Sequence, residues 1–252
     1  MRGLTGPSWF LEFQGARLIR TLHQKAPKEN GIHRIYWSMN EKGADRPSRK
    51  IRKRTNEPRG VSVKPGTYNL KMSFGNQTSE SSIKVEFDPR LEMSKEAITE
   101  IYNASKDMEK DQQLMADVVK QLVESKNIAN GLKSRLNKLD KDKFKDEIKL
   151  SSEMVKQTDS LVALFLGKID KRQGITRNKE SNVQEKIYKA YYYISSRPNG
   201  NTITETNLMK HANNSLSKAI KVVNAFFKEK WKSYREQMDK LEYSEFKETI
   251  EF

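Results

Sequence analysis

The spacing of apolar residues along this chain changes once, near residue 90. Before that point, short runs rich in Ile, Tyr, Trp, Phe and Val are separated by glycine and by Pro-Gly or Gly-Asn pairs. Within the runs, apolar and polar residues tend to alternate, which predicts half-buried β-strands separated by turns. We predict strands near residues 8–13, 17–22, 32–39, 67–74 and 79–87.

Two of these runs also indicate which side chains face the core. Side chains point to opposite faces of a strand in turn, so residues two apart share a face. In the third run this places Ile35, Trp37 and Met39 toward the interior. The fourth run repeats the alternation with Tyr68, Leu70, Met72 and Phe74.

A strongly basic segment separates these two runs. Residues 42–64 hold nine basic and two acidic residues and almost no apolar ones, which predicts an exposed loop. Its densest part contributes six candidate polyanion-binding residues: Arg46, Arg49, Lys50, Arg52, Lys53 and Arg54. Such a cluster can bind nucleic acid, lipopolysaccharide or an anionic membrane by releasing counterions. The alternative is a solvated loop that only increases solubility, and no aromatic residue interleaves the cluster to stack on bases.

After Asp88-Pro89-Arg90 the apolar residues recur at helical spacing. A heptad stripe predicts one helix from Ser94, whose side chain can cap the first amides, to about residue 139, with Gly131 as a weak point. A second helix carries Phe144 to Ile169 and ends near Gly174. The heptad positions are Ile101, Met108, Met115, Leu122, Ala129 and Leu136.

Two further helices follow. One is predicted near residues 182–196, before the Pro198-Asn199-Gly200 turn. The other starts at a capping box, in which Thr202 and Glu205 satisfy each other's backbone amides, and continues to about Leu241. Four amphipathic helices in succession predict a bundle.

Together these patterns predict an α+β multidomain chain. Residues 1–90 are expected to form a small antiparallel immunoglobulin-like β-sandwich, and residues 91–252 an antiparallel bundle of about four helices, the first one long. Only about five strands are recognisable where such sandwiches commonly have about seven, so we expect the sheet to be exposed along one edge.

Composition and motifs limit the kinds of catalytic, metal and cofactor sites that this chain can contain. The chain has no cysteine, which excludes disulfides, thiolate nucleophiles and cysteine zinc sites. His23, His33 and His211 fall in separate predicted elements, and no phosphate-loop, Gly-x-Ser-x-Gly or strand-linked Gly-x-Gly-x-x-Gly motif occurs. We therefore predict no catalytic residues, no metal, no cofactor and no small-molecule ligand.

Charge and hydropathy bear on partners and location. The net charge is +15, and residues 1–90 hold 18 basic against 8 acidic residues, a field that attracts polyanions. The chain contains no apolar run of 18 residues, and its first residues are too short and interrupted for a signal peptide. We expect no transmembrane segment and no export signal in this chain.

Several motifs carry a family resemblance. They are Gly-Ile-His-Arg-Ile-Tyr-Trp at 31–37, Val-Lys-Pro-Gly-Thr-Tyr-Asn-Leu at 63–70, Phe-Asp-Pro-Arg at 87–90, Gln-Gly-Ile-Thr-Arg-Asn at 173–178 and Val-Asn-Ala-Phe-Phe at 223–227. In order and spacing, over roughly residues 10–245, they resemble the C-terminal region of bacterial sortilin-like β-propeller proteins. Members of that family are often labelled glycosyl hydrolases with bacterial-neuraminidase (BNR) repeats.

The resemblance implies a function without catalysis in this chain. In that family an immunoglobulin-like module and a helical tail follow the propeller, and no propeller repeats are present here. We expect a non-catalytic accessory or interaction region of a periplasmic or extracellular protein, with a propeller domain encoded upstream as a partner. Two alternatives stay open: a polyanion-binding module that uses residues 46–54, and a glycoside hydrolase as the family label suggests.

Overall fold

The computed structural model describes residues 8–14, 17–25, 29, 31–51, 54, 56–169, 181–197 and 199–242. The fold is mixed α/β, with small antiparallel sheets and four helical segments, of which the first is long. The strands are β1 Ser8–Gln14, β2 Leu18–Lys25, β3 Asn40–Lys42, β4 Arg59–Ser62, β5 Gly66–Phe74 and β6 Gln77–Val85. The helices are α1 Lys95–Leu139, α2 Lys145–Leu166, α3 Val183–Ser195, α4 Ile203–Phe226 and α5 Lys232–Met238, with a π-helical turn, Phe227–Trp231, joining the last two.

The chain forms two compact units. Unit 1 contains Met1–Arg46, Arg52–Gln113 and Ile187–Lys210, and unit 2 contains Pro47–Ile51, Leu114–Lys186 and His211–Phe252. Each unit takes residues from both sides of residue 90, and α1, α3 and α4 contribute to both. The division into domains at residue 90 stays a prediction.

Four strands of unit 1 form one antiparallel sheet in the order β2-β1-β5-β6, and β3 pairs with β4 in a second. A two-residue turn joins β5 to β6, because Gly75 adopts a φ of +57°, which glycine tolerates at little cost. The first sheet packs on a cluster in which Ile19, Val63, Tyr68 and Val85 are buried. Strands near 8–13, 17–22, 67–74 and 79–87 are thus confirmed, with shifts of a few residues at their ends.

The core placement of several aromatic and aliphatic side chains is also confirmed. Ile35, Trp37, Leu70 and Met72 pack against this cluster. The Trp37 and Tyr68 rings meet edge to face with centroids 5.7 Å apart, and the indole N–H of Trp37 donates to the carbonyl of Asn40 at 3.0 Å. Edge-to-face contact suits the ring quadrupoles, so these two residues fix the segment before β3 against the sheet.

The prediction of a strand at 32–39 is wrong. This segment packs on the sheet without joining a ladder, and Met39 is 53% exposed with a φ of +50°. Alternating burial requires only an extended backbone that packs on a core, so the pattern did not distinguish a strand from an extended segment outside a sheet.

The prediction that 42–64 is one exposed loop is also wrong. Strand β4 lies within it, and Ala44, Val61 and Val63 are buried. The high density of basic residues obscured the short alternation of Val61 and Val63, which becomes a strand only because β3 lies beside it.

The long helix is confirmed at Lys95–Leu139 and continues through Gly131. Ser94 caps it, since its hydroxyl accepts the amide proton of Ala97 at 3.0 Å. The heptad stripe is its buried face, as Met108, Met115, Leu122, Ala129 and Leu136 are each at most 1% exposed. The bounds and the buried face of α1 are therefore determined by the local spacing of apolar residues and by the capping residue.

The remaining helices begin near the predicted residues, and α2 ends earlier than predicted. α2 stops at Gly167, whose φ of +75° breaks the helix, and Gly174 lies outside the described residues. At the start of α4, the Thr202 amide donates to Glu205 at 2.9 Å and the hydroxyl of Thr202 accepts from Thr204 at 3.2 Å. These bonds form the predicted cap, and hydrogen bonds from Thr202 lower the pKa of the buried Glu205 carboxyl.

Side-chain bonds tie the helices of unit 2 to one another. Lys126 on α1 pairs with Asp159 on α2 at 2.6 Å. The hydroxyls of Ser151 on α2 and Tyr234 on α5 lie 2.9 Å apart in the buried interior, and Lys186 donates to Ser215 at 2.8 Å. A buried hydroxyl pair of this kind fixes helix register, because either partner alone would be left without a hydrogen bond.

Two glycines provide a matched test of this fold. A Cβ on Gly43 would lie 2.3 Å from the Arg59 carbonyl oxygen, whereas one on Gly131 would meet nothing within 4 Å. We expect Gly43→Ala to lower the free energy of unfolding by about 1–3 kcal/mol through backbone displacement. Gly131→Ala should raise it by about 0.5–1 kcal/mol, because alanine loses less backbone entropy in a helix. Urea denaturation of both variants measures this, and equal effects would contradict the close approach of β3 and β4.

Candidate anion-binding site

Four of the six predicted polyanion-binding residues lie in the described part of the chain, and they belong to different units. Arg46 and Arg54 belong to unit 1, and Arg49 and Lys50 to unit 2. Arg52 and Lys53 lie outside the described residues. The described cations of the basic segment therefore fall into two groups.

Arg46 and Arg54 line one cavity in unit 1, together with Arg59 on β4. The cavity has a volume of about 330 Å³. Its other walls come from the loop around Ala44 and Pro58 and from polar side chains on α1 and α3. Those side chains are Glu109, Gln112, Tyr188 and Tyr191.

The short β3–β4 ladder explains how these arginines come together. The Gly43 amide donates to the Pro58 carbonyl at 2.9 Å, and the missing side chain of Gly60 leaves room for Glu109, whose Oε1 would lie 2.6 Å from a Cβ there. The chain leaving β3 therefore runs beside the chain entering β4. Arg46 extends from one segment and Arg59 from the other into the same space.

Helix α1 holds the outgoing segment in place. Gln112 donates its side-chain amide to the carbonyls of Ala44 and Asp45, each at 3.3 Å, and Gln113 accepts the Asp45 amide proton at 2.9 Å. These bonds satisfy backbone groups that no strand partner reaches. The backbone that carries Arg46 is thus positioned by a helix.

The cavity carries more positive than negative charge. Its one lining carboxylate, Glu109, is paired with Lys106. Arg54 lies 3.9 Å from Asp45, and in the described part of the chain no carboxylate lies within 4.0 Å of Arg46 or Arg59. Burial, together with the charge of Glu109, raises the pKa of Tyr191, which keeps its hydroxyl protonated as a donor. Guanidinium forks and hydroxyl donors around a concave space suit phosphate, sulfate or carboxylate oxygens.

A buried carboxylate underlies this site. Glu41 on β3 is 4% exposed, and its two oxygens accept hydrogen bonds from Arg17 and from the Tyr102 hydroxyl, both at 2.6 Å. Lys106 lies 3.4 Å away and also contacts Glu109. Glu41 therefore links β3 to α1, next to the wall of the cavity.

The pKa values in this cluster reflect competing effects. Burial opposes ionisation of Glu41, but the hydrogen bonds from Tyr102 and Arg17 and the charge of Lys106 outweigh it and lower the pKa of the carboxyl. Burial and the hydrogen bond to Glu41 raise the pKa of Tyr102 to about 12. The pair is thus a carboxylate accepting from a neutral phenol across the neutral pH range.

Arg49 has a different role from Arg46 and Arg54. Its guanidinium donates to the carbonyl of Gly167 at 2.5 Å, just past the last residue of α2. A cation there satisfies a carbonyl at the helix end and complements the negative end of the helix dipole. Lys50 is exposed. Part of the basic segment is therefore structural.

Sequence reasoning missed Arg59, Glu41 and Tyr102 as parts of the site. Arg59 lies outside the dense run, and Glu41 and Tyr102 are separated by 61 positions. The available signal was the alternation of Val61 and Val63, which marks a strand next to Arg59. Nothing local indicates that Tyr102 bonds Glu41.

Other candidate chemistry is limited. His23 lies in β2, His33 in the extended segment before β3 and His211 in α4. Among the described residues, no three His, Asp or Glu side chains are grouped closely enough to hold a metal ion. The described helices include none with the length and apolar character needed to span a membrane.

Comparison with known proteins identifies no relative of this chain. No protein-family model matches the chain, and neither a curated protein nor a solved structure shows significant similarity to it.

The lowered pKa of Glu41 predicts a pH dependence of stability. Because the folded state favours the ionised carboxyl, its contribution is fully present above the ordinary glutamate pKa of 4.5 and is lost as the pH falls through the lower folded value. Glu41→Gln should lower the free energy of unfolding by about 1–3 kcal/mol at pH 7. It should also make the loss of stability at acid pH, which we call the acid limb, less steep. Urea midpoints between pH 3 and pH 7 measure both effects.

The control for this prediction is Glu80→Gln, because Glu80 is 74% exposed. This change should leave both the stability at pH 7 and the acid limb nearly unchanged. An unaltered acid limb in Glu41→Gln would show that other carboxyls determine the acid sensitivity.

Proposed function

We propose that this chain is a non-catalytic interaction region that binds an anionic partner through Arg46, Arg54 and Arg59. The observation that carries the proposal is the convergence of these three guanidinium groups on one cavity whose single carboxylate is already paired. Like charges so placed repel one another in the free protein. A bound anion removes that repulsion, so binding energy is available without rearrangement of the fold.

Phosphate or sulfate groups are the chemistry that fits best. The planar fork of arginine offers two parallel donors to such groups, and Gln112, Tyr188 and Tyr191 add polar groups around the same space. A volume of about 330 Å³ accommodates one or two such groups but not a folded partner. The partner is therefore a polyanion that places successive groups in the cavity.

The charge of the whole chain favours the same partner class. The net charge is +15, and the first 90 residues carry 18 basic against 8 acidic residues. A field of this sign increases the local concentration of polyanions and their association rate. The cavity then supplies the short-range contacts.

The resemblance to sortilin-like propeller proteins supplies the wider context of the proposal. We propose that the two sheets of unit 1 are an immunoglobulin-like sandwich, that the helices form the tail bundle, and that both belong to an accessory region of a larger propeller protein. The edge-to-face pair of Trp37 and Tyr68 supports this, because both residues come from motifs that carry the resemblance. In-frame propeller repeats upstream in the encoding DNA would support the context, and an upstream stop codon with its own promoter would argue against it.

The binding proposal predicts a loss of affinity and of salt sensitivity on removal of the three arginines. In Arg46→Ser/Arg54→Ser/Arg59→Ser, affinity for fluorescent heparin oligosaccharide or polyphosphate should fall at least tenfold at 50 mM salt. The slope of log K against log salt concentration should decrease by about 1 for each arginine that contacts an anionic group. Fluorescence anisotropy at several salt concentrations gives both values.

The matched control removes three exposed cations of unit 1 that do not line the cavity, in Lys25→Ser/Arg34→Ser/Lys210→Ser. Equal loss of affinity in both triple variants would show that binding depends only on net charge. The proposal that the cavity is the binding site would then be wrong. Preference for heparin over polyphosphate would indicate sulfate recognition, and the reverse would indicate phosphate.

A further inference from the structure

A second surface with different chemistry lies within unit 2, on helix α2. Two cavities of about 530 and 490 Å³ adjoin there and share Ser160 and Leu164 as lining residues. Together they form what we call the α2 groove. It shares no lining residue with the cavity of unit 1 that Arg46, Arg54 and Arg59 line, which we call the arginine cavity, and it differs from that cavity in character.

The walls of the α2 groove are mainly apolar, and several of its apolar residues are exposed. Leu164, at the shared boundary, is 43% exposed, Val222 on α4 is 51% exposed and Ile169 is 66% exposed. Val123 and Val162 complete the first cavity, and Phe226 the second. Contiguous apolar surface that remains in water in the free chain is typical of a binding site.

Positive side chains surround this apolar surface. Arg49, Lys126 and Lys168 line the first cavity, and Lys156 and Lys230 the second. The two lining carboxylates are Asp159, which is paired with Lys126, and Glu229. The groove thus combines an apolar floor with an excess of cations at its margins.

The dimensions favour an extended ligand. Along α2, the residues that line the two cavities run from Lys156 to Leu164, a rise of about 12 Å or just over two helical turns. Its far wall is formed where α4 passes into the π-helical turn, a departure from α geometry that is common at functional sites. Two apolar depressions on either side of Leu164 match apolar side chains one and two turns apart on a partner helix.

We propose that the α2 groove binds an acidic amphipathic helix of a partner protein. The apolar face of such a helix fills the two depressions, and its carboxylates meet Lys156, Lys168 and Lys230 at the margins. Charge disfavours a second copy of this chain as the occupant, because each copy carries a net charge of +15 and the groove itself is cationic. The proposal does not depend on polyanion binding in unit 1.

The probe for this proposal is a fluorescein-labelled 16-residue peptide with leucine at helical i, i+3, i+4 and i+7 positions and glutamate or alanine elsewhere. We expect the full chain to bind it with micromolar affinity. A scrambled peptide of the same composition, and a peptide with lysine in place of glutamate, should each bind at least tenfold more weakly. Equal binding of the scrambled peptide would overturn the proposal, because the periodic apolar face would then be irrelevant.

The first pair of variants tests the apolar floor. Leu164→Glu should weaken peptide binding at least tenfold, whereas Ile128→Glu should leave it within twofold, since Ile128 is 61% exposed on α1 but lines neither cavity. Both positions are exposed, so both variants should keep the circular dichroism of the parent. If Leu164→Glu does not fold, Leu164→Ser replaces it with the same expectation. Unchanged affinity in a folded Leu164 variant would overturn the proposal.

The second pair tests the charged margin. Lys156→Ser/Lys168→Ser/Lys230→Ser should weaken binding at least fivefold and reduce its salt dependence. Lys120→Ser/Lys218→Ser/Lys221→Ser removes three exposed lysines of unit 2 that do not line the groove, and should change affinity less than twofold. Equal effects of the two triple variants would overturn the charge-matching argument.

Other occupants give distinct results. If sedimentation shows a dimer that Leu164→Glu converts to a monomer, the groove is an interface between copies and the proposal is overturned. If dodecanoate displaces the peptide while the peptide alone binds more weakly than dodecanoate, the ligand is a small amphiphile and the proposal is again wrong. If the peptide binds only after deletion of residues 243–252, the chain's own C-terminal residues compete with the peptide for the groove. An external helix is then not the primary occupant, and the proposal is overturned.

Discussion

A carboxylate removed from water must have its oxygens paired, or the cost of burying its charge exceeds what the surrounding packing provides. Glu41 meets this requirement with groups from two distant parts of unit 1, Arg17 just before β2 and Tyr102 on α1. The same bonds hold the start of the long helix against β3. Since β3 in turn pairs with β4, the position of Arg59 in the arginine cavity depends on this buried acid.

The basic segment shows that the role of a cation depends on its neighbours. Arg49 is engaged at the end of α2, where a carbonyl and the helix dipole satisfy its charge. Arg46, three residues earlier, faces a cavity with little negative charge. One is a structural contact, and the other is a residue that we propose binds a ligand. A density of positive residues in sequence cannot distinguish these roles, because both use the same side chain.

The two proposed sites differ in the kind of binding energy they offer. The arginine cavity is small and polar, so its binding energy comes from hydrogen bonds and charge and should weaken steeply with salt. The α2 groove is larger and apolar, so burial of leucine-like side chains should dominate, with charge selecting among amphipathic partners. Both sites favour acidic partners, in agreement with the net charge of +15.

The sequence by itself determined the helices and most of the strands of the large sheet. The heptad stripe of α1, the Ser94 cap and the capping box of Thr202 and Glu205 are local features, and the structure confirms each of them. Local hydrogen bonds and side-chain periodicity act over a few residues, so they can be read without knowledge of the fold.

Tertiary structure alone decided the rest. The β3–β4 pairing, the packing of Trp37 on Tyr68 and the bond between Glu41 and Tyr102 each join residues far apart in sequence. So does the gathering of Arg46, Arg54 and Arg59 with Tyr188 and Tyr191. A strand needs a hydrogen-bonding neighbour and a buried charge needs its partner, and neither is encoded in the residues next to it. The physical reason is that these interactions are properties of pairs of segments, and only the folded chain brings the members of each pair together.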